Sequence, residues 1–227
     1  MNNNLKIIIH KPLVQKKYND TRDWYKINEI KKSDFLECIK ELFDVVEKKI
    51  ECKGEDDKFL KTFITEQEKL SDEEWYNLEK SIRFRKILTM KIGTFHEKMF
   101  SKFISYEKVH KGIITFGCDL RKKDDTEYWE IKNRENTMNS NSAAKVAQNF
   151  EQALKHSKKC YLVYVNSTKL NLPRFNISSQ VNILNGRNAY NLMAGRDNFY
   201  DDLVDTFTYA SKNFKTFNDL KSNLEKI

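Results

Sequence analysis

The sequence predicts an α/β (α+β) fold: a central mixed sheet flanked by helices, with a helical extension on its N-terminal side. Three observations carry this expectation. Apolar residues recur at helical spacing over stretches of the first hundred positions. A short apolar run, a polar turn and an alternating run follow between 113 and 132. The most apolar run, 160–165, comes after a further amphipathic segment. With 227 residues, 39% of them hydrophobic and 12% aromatic, the chain can bury a sizeable core; two prolines and six glycines exclude collagen-like and linker-rich classes.

In chain order, Phe35, Cys38, Ile39, Leu42, Phe43, Val46 and Ile50 mark a helix over 34–50, with Ser33 as its N-cap. Ser71, with Glu74 three residues on, opens a second helix that runs to about Leu88. Gly93 reads as an interruption, after which Phe95, Met99, Phe100, Phe103 and Ile104 form another helix. Residues 113–116 read as a buried strand leading into Gly117, Cys118 and Asp119, 121–126 as a turn, and 127–132 as the returning antiparallel strand. Val146, Ala147, Phe150 and Leu154 share one face of a helix over 142–156, and 160–165 is a strand inside the sheet. Two helical stretches, 199–212 and 217–225, close the chain. The expected division is a helical N-terminal region over 1–85, free to share the core, and an α/β core with C-terminal helices over 86–227.

Net charge is +8, and it is localised. Residues 1–85 hold 18 basic and 18 acidic side chains, so the excess falls on the remainder. A localised basic excess suits a polyanion, although ordinary solubility explains it equally well. No stretch approaches the roughly 18 apolar residues of a spanning helix, and the start lacks a signal-peptide pattern, so a cytoplasmic protein is expected. Cys38, Cys52, Cys118 and Cys160 are scattered and read as reduced thiols, not a zinc site. The four histidines are scattered too, His96 reads as a helix-surface residue, and no Gly-rich phosphate loop exists, which disfavours nucleophilic and ATP-dependent chemistry.

One constellation carries chemistry. Period-two geometry puts Glu130 and Lys132 on one face of their strand, with Ile131 on the other, and a hairpin brings Asp119 alongside. Two carboxylates and an ammonium are what phosphodiester hydrolysis needs. Hard oxygen ligands hold Mg²⁺, the metal neutralises charge at phosphorus and acidifies a water, and the lysine positions that water or stabilises the transition state. Asp124 and Asp125 are rival acids in the turn, and a solvent-facing strand edge with an ion pair is the plain alternative. Glu97, on the preceding helix, could bind a second metal or a water attached to it. The amide- and hydroxyl-rich stretch that follows, with Asn133, Arg134, Asn136, Thr137, Asn139, Ser140, Asn141 and Ser142, suits contacts to base edges and phosphates. Lys145 on the next helix could meet a backbone phosphate. Arg174, Arg187 and Arg196, all in loop-like contexts, are candidates for guanine or phosphate contacts, with carboxylate pairing equally open.

Asp119 followed by Glu130, Ile131 and Lys132 on adjacent strands resembles the PD-(D/E)xK nuclease superfamily, although Gly117 and Cys118 stand where that family often has proline. The string EIKNRENTMNSNSA, with LNGRNAYNLMAG and DDLVDTF further on, is similar to one group of type II restriction endonucleases, which includes enzymes cutting at GGNCC; the similarity spans roughly residues 88–220. The resemblance implies a restriction-endonuclease-like core and Mg²⁺-dependent, sequence-specific cleavage of double-stranded DNA. It implies Asp119, Glu130 and Ile131 as the metal-binding positions, and Asp119, Glu130, Lys132 and Glu97 as the catalytic set. A homodimer matching the two-fold symmetry of a short site and a cognate methyltransferase follow from the same reading. The alternatives are a structure-specific repair nuclease with the same centre, or a basic, non-catalytic DNA-binding protein.

Overall fold

The computed structural model describes residues 24–48, 57–109, 116–134, 138–167 and 176–227. Its elements run α1 (Lys32–Glu47), α2 (Lys58–Glu68), α3 (Asp72–Ser101), β1 (Tyr106–Lys108), β2 (Leu120–Lys122), β3 (Glu127–Lys132), α4 (Ser140–Lys155), β4 (Lys159–Tyr164), β5 (Asn182–Asn185), α5 (Gly186–Ala194), α6 (Phe199–Asn213) and α7 (Phe217–Leu224). The strands form one sheet in the order β1-β2-β3-β4-β5. β1, β2 and β3 pair antiparallel, whereas β3, β4 and β5 pair parallel, so the sheet is mixed as expected.

Alternation along the strands divides the core in two. Leu120, Trp129, Ile131, Val163 and Val165 face a cluster built with α1, α3, α5, α6 and α7, in which Phe35, Ile39, Phe95, Met99, Phe100, Tyr190, Phe199 and Leu203 are buried. Tyr128, Cys160, Leu162 and Tyr164 face α4, whose Val146, Phe150 and Ala153 cover the opposite side. Aromatic stacking joins neighbouring elements: Trp129 of β3 lies 4.0 Å from Tyr161 of β4, and Phe100 of α3 lies 4.0 Å from Tyr190 of α5. Residues before and after position 85 share the first of these clusters, and α3 runs through that position.

Several local expectations are corrected. Gly93 does not interrupt a helix: α3 is continuous for 30 residues. A glycine in a helix costs about 1 kcal/mol relative to alanine, less than is gained by packing Ile92, Phe95 and Met99 against the core. The capping box at its start is present, with the Ser71 amide donating to Glu74 Oε2 at 2.8 Å and the Ser71 hydroxyl accepting from the Glu74 amide at 3.3 Å. α1 begins at Lys32 with Lys31 at the N-cap and no side-chain cap, so Ser33 lies inside the first turn. Arg121 and Lys122, expected in the turn, belong with Leu120 to β2, because the chain pairs there with both β1 and β3. The reversal is confined to the residues after Lys122, where Asp125 takes φ +59°. α2, β1, β5 and α5 are not among the expected elements; of the expected first strand, residues 113–115 lie outside the described residues and Phe116 lies in a turn with φ +45°. The two closing helices match expectation. No described helix is long and apolar enough to cross a membrane.

Candidate active site

Parallel pairing points the C-terminal ends of β3, β4 and β5 to one edge of the sheet. β2 runs the other way, so Asp119, just before its first residue, lies at this same edge. The Asp119 amide donates to the Trp129 carbonyl at 3.0 Å, and its Oδ2 accepts from the Ile131 amide at 2.8 Å. These two bonds fix the carboxylate beside the end of β3. Lys132 Nζ lies 2.5 Å from Glu130 Oε1 and 3.6 Å from Asp119 Oδ2, so the two carboxylates and the ammonium converge as the alternation requires.

Among the described residues Glu130 is the only buried charged side chain, 5% exposed on a strand whose other central members are Tyr128, Trp129 and Ile131. Its Oε2 is buried and has no hydrogen-bond partner. Burial, with the nearby Asp119 charge, pushes its carboxyl up to about 7, against the pull of Lys132. Glu97 on α3 is raised from the usual carboxylate range by burial and by Asp119, with Lys108 3.9 Å away pulling down. Lys132 is raised despite its own burial, because Asp119, Glu130 and Glu97 surround it. A buried ion costs several kcal/mol unless its lone pairs are satisfied. An orphaned carboxylate oxygen beside a second carboxylate is therefore a donor set that fits a hard cation.

No group of three His, Cys, Asp or Glu side chains among the described residues could hold a metal alone. Two carboxylates and a main-chain oxygen make a more complete set. The Ile131 side chain is 3% exposed and packed in the core, so only its carbonyl could serve. Because the Ile131 amide reaches Asp119, strand alternation turns that carbonyl to the same side. The rival acids are committed elsewhere. Asp124 Oδ1 accepts from the Thr126 amide and hydroxyl, and Asp125 pairs with Lys158 at 2.6 Å and accepts from the Tyr128 hydroxyl at 2.5 Å.

The polar segment after Lys132 starts at the same edge. Asn133 Nδ2 donates to the Thr89 carbonyl of α3 at 3.4 Å, and its Oδ1 accepts from Asn166 Nδ2, directly beyond β4. Asn166 was not singled out in the sequence; a polar residue following the apolar 160–165 run was the available signal. Arg134 is exposed, whereas Asn136 and Thr137 lie outside the described residues. Asn139 caps α4 by accepting from the Ser142 amide at 2.8 Å, and Ser140, Asn141, Ser142 and Lys145 are exposed on the first turns of that helix. Arg174 lies outside the described residues.

Arg187 belongs to the first turn of α5, not to a loop. It grips Asp201 with both terminal nitrogens, the longer contact being 2.7 Å, and lies over the Tyr200 ring. Arg196 binds Glu29 at 2.7 Å and also Asp202, joining the segment before α1 to α6. His96, expected on a helix surface, instead turns toward Tyr190, 2.9 Å from its hydroxyl, and packing of the imidazole brings its pKa down to about 4. Gly186 allows α5 to start against the end of β4, since a Cβ there would stand 2.5 Å from the Val165 carbonyl oxygen. Cys38, Cys118 and Cys160 are buried free thiols.

Comparison with known proteins gives the family. The Eco47II restriction endonuclease family model matches residues 27–224. The chain is also 27% identical over 200 residues to the type II restriction enzyme Sau96I of Staphylococcus aureus, a match covering 75% of this chain and 74% of that enzyme. These matches favour the restriction reading over a repair nuclease or a non-catalytic binder, and the family model includes the helices before residue 88, where no resemblance was visible in the motifs. The chain belongs to the Eco47II restriction endonuclease family and is a type II, site-specific DNA endonuclease.

Proposed function

We propose that this endonuclease cleaves both strands of a short symmetric DNA site of the GGNCC type with Mg²⁺, using Asp119, Glu130 and the Ile131 carbonyl as metal ligands. The observation that carries the reading is the orphaned Oε2 of buried Glu130 beside Asp119 and Lys132. Bound there, Mg²⁺ would supply neutralisation of the charge developing on the scissile phosphate. Glu130 and Asp119 bring two carboxylates together at a partly dry edge, more negative charge than Lys132 alone offsets. Lys132 Nζ, tethered to both, orients the attacking water and stabilises the anionic transition state. Glu97, across the cluster on α3, takes up a proton from water held there, since burial makes it more basic than an exposed glutamate.

DNA contacts are assigned to Asn133, Arg134, Asn139 and Arg187 and to the first turns of α4 with Ser140, Asn141, Ser142 and Lys145, and, outside the described residues, to Asn136, Thr137 and Arg174. Arg187 would exchange Asp201 for phosphate or guanine on binding. One centre per chain and two strands to cut imply a homodimer, and a cognate methyltransferase protects the host cytoplasm's DNA. The test is digestion of sequenced DNA with Mg²⁺ and with EDTA, followed by end mapping. Discrete Mg²⁺-dependent fragments ending at GGNCC sites are expected, and Asp119→Ala should abolish them while DNA binding persists. Undiminished cutting by Asp119→Ala would remove the site assignment, and ends at another sequence would remove the specificity.

A further inference from the structure

α3 is far longer than the element it packs on. Its 30 residues span about 45 Å, against about 24 Å for the 16 residues of α1. Ion pairs from Lys91, Lys98 and Lys102 to Glu41, Asp34 and Glu37 put α1 against the second half of α3. Among the described residues, the first half of α3 extends beyond α1, accompanied by α2, in which no residue is buried. Before Phe95, only Trp75 is buried in α3. This arm exposes Leu78 at 40%, Ile82 at 52%, Phe63 at 63% and Phe59 at 90%. Apolar side chains concentrated on one arm mark a contact surface and not ordinary solvent exposure.

The sequence of one stripe says what contacts it. Glu74, Leu78, Ile82 and Arg85 stand at i, i+4, i+8 and i+11 and so share one face of α3. Along the helix, Asp72, Glu73, Glu74 and Glu79 precede Lys80, Arg83, Arg85, Lys86 and Lys91, with no acid among the latter group. We propose that this stripe pairs with the same stripe of a second copy of the chain, antiparallel about a two-fold axis. That alignment opposes Leu78 to Ile82 of the other copy and Glu74 to Arg85, twice over by symmetry. The acidic tip disfavours DNA as the occupant. Attraction between the acids and the helix dipole accounts for the first turn only, and not for the exposed apolar pair at the centre. Phe59, Leu60 and Phe63 on the adjoining α2 add apolar area toward the roughly 800 Å² per partner that stable pairs bury. The inference rests on the proposed two-strand cleavage, which needs two centres, and goes beyond it by naming the surface that joins them.

Light scattering on the size-excluded full-length chain at micromolar concentration tests this, with the CD melt as the check on folding. The wild type should be a dimer, and Ile82→Glu and Leu78→Glu, both at exposed positions, should be folded monomers. Arg85→Glu should raise the dimer dissociation constant at least tenfold, and Glu74→Gln, which keeps an N3 side chain able to cap Ser71, should weaken pairing as well. A monomeric wild type, dimers unaltered by Ile82→Glu, or an Arg85→Glu chain that pairs as tightly as wild type would each overturn the proposal. So would an Arg85→Glu chain that keeps its mass but loses DNA binding. Cleavage is read separately: a dimer that cuts nothing would overturn the nuclease centre and leave this surface standing, whereas a monomer that cuts both strands would do the reverse.

Discussion

Replacing Glu130 by glutamine should stabilise the metal-free protein while destroying its activity. Glu130 is buried, one of its oxygens lacks a partner, and burial with Asp119 pushes its carboxyl from 4.5 to about 7. At 1.36 kcal/mol per pH unit, ionising it in the folded state costs about 3 kcal/mol above pH 7. Glutamine removes that cost. That cost is already net of the pull of Lys132, which keeps Asp119 at 3.6 Å in the variant; after relaxation of the site the gain is about 2 kcal/mol. For a chain of this size, that raises Tm by about 4–8 °C. Between pH 4.5 and about 7 the folded wild type holds a proton that the unfolded chain has released, so its stability falls as pH rises through this window. The advantage of Glu130→Gln should therefore be largest at pH 8 and vanish near pH 4. The assay is thermal or urea unfolding in EDTA at several pH values, repeated with Mg²⁺, which should stabilise the wild type and not the variant. A variant less stable than wild type at pH 8 in EDTA would refute the reasoning, because the Lys132 pairing would then outweigh the burial.

Lys132→Ala should reduce cleavage at saturating Mg²⁺ by at least about 100-fold, with DNA affinity within a few-fold of wild type, as gel-shift and single-turnover assays would read. Gly186→Ala should destabilise by about 1–3 kcal/mol in urea melts, since its Cβ would stand 2.5 Å from a backbone oxygen that cannot yield. His96 should make the fold acid-sensitive. Held neutral with a folded pKa near 4, it binds fewer protons than the unfolded chain between pH 4 and 6.5, so stability falls as pH drops through that range. Its partly accessible ring limits the loss to about 1–2 kcal/mol, and His96→Gln melts should lack this component.

The candidate cluster of Asp119, Glu130 and Lys132 was legible because each of its parts is local. Glu130 and Lys132 share a strand face through period two, and the short polar reversal after Lys122 brings Asp119 back beside them. The long continuous α3 was not legible at Gly93, because the decision there rests on burial of Ile92, Phe95 and Met99 by distant parts of the chain. His96 reads as a surface residue until α5 brings Tyr190 to it across 94 positions. Arg187 and Arg196 looked alike among turn-forming neighbours. Their carboxylate partners, Asp201 for one and Glu29 with Asp202 for the other, exist only once α5 and α6 are packed.

By itself, then, the sequence determined the mixed α/β architecture, the closing helices, the pairing of Glu130 with Lys132 and the resemblance to a nuclease family. Periodicity and spacing act over a few residues and survive without neighbours. The tertiary structure alone decided that Glu130 is buried with an unsatisfied oxygen, that Asn166 stands beside Asn133, and that the first half of α3 projects beyond α1. Burial, register between remote strands and overhang depend on which surfaces meet. That is settled by the packing of the whole chain, in which the same local pattern is compatible with several outcomes.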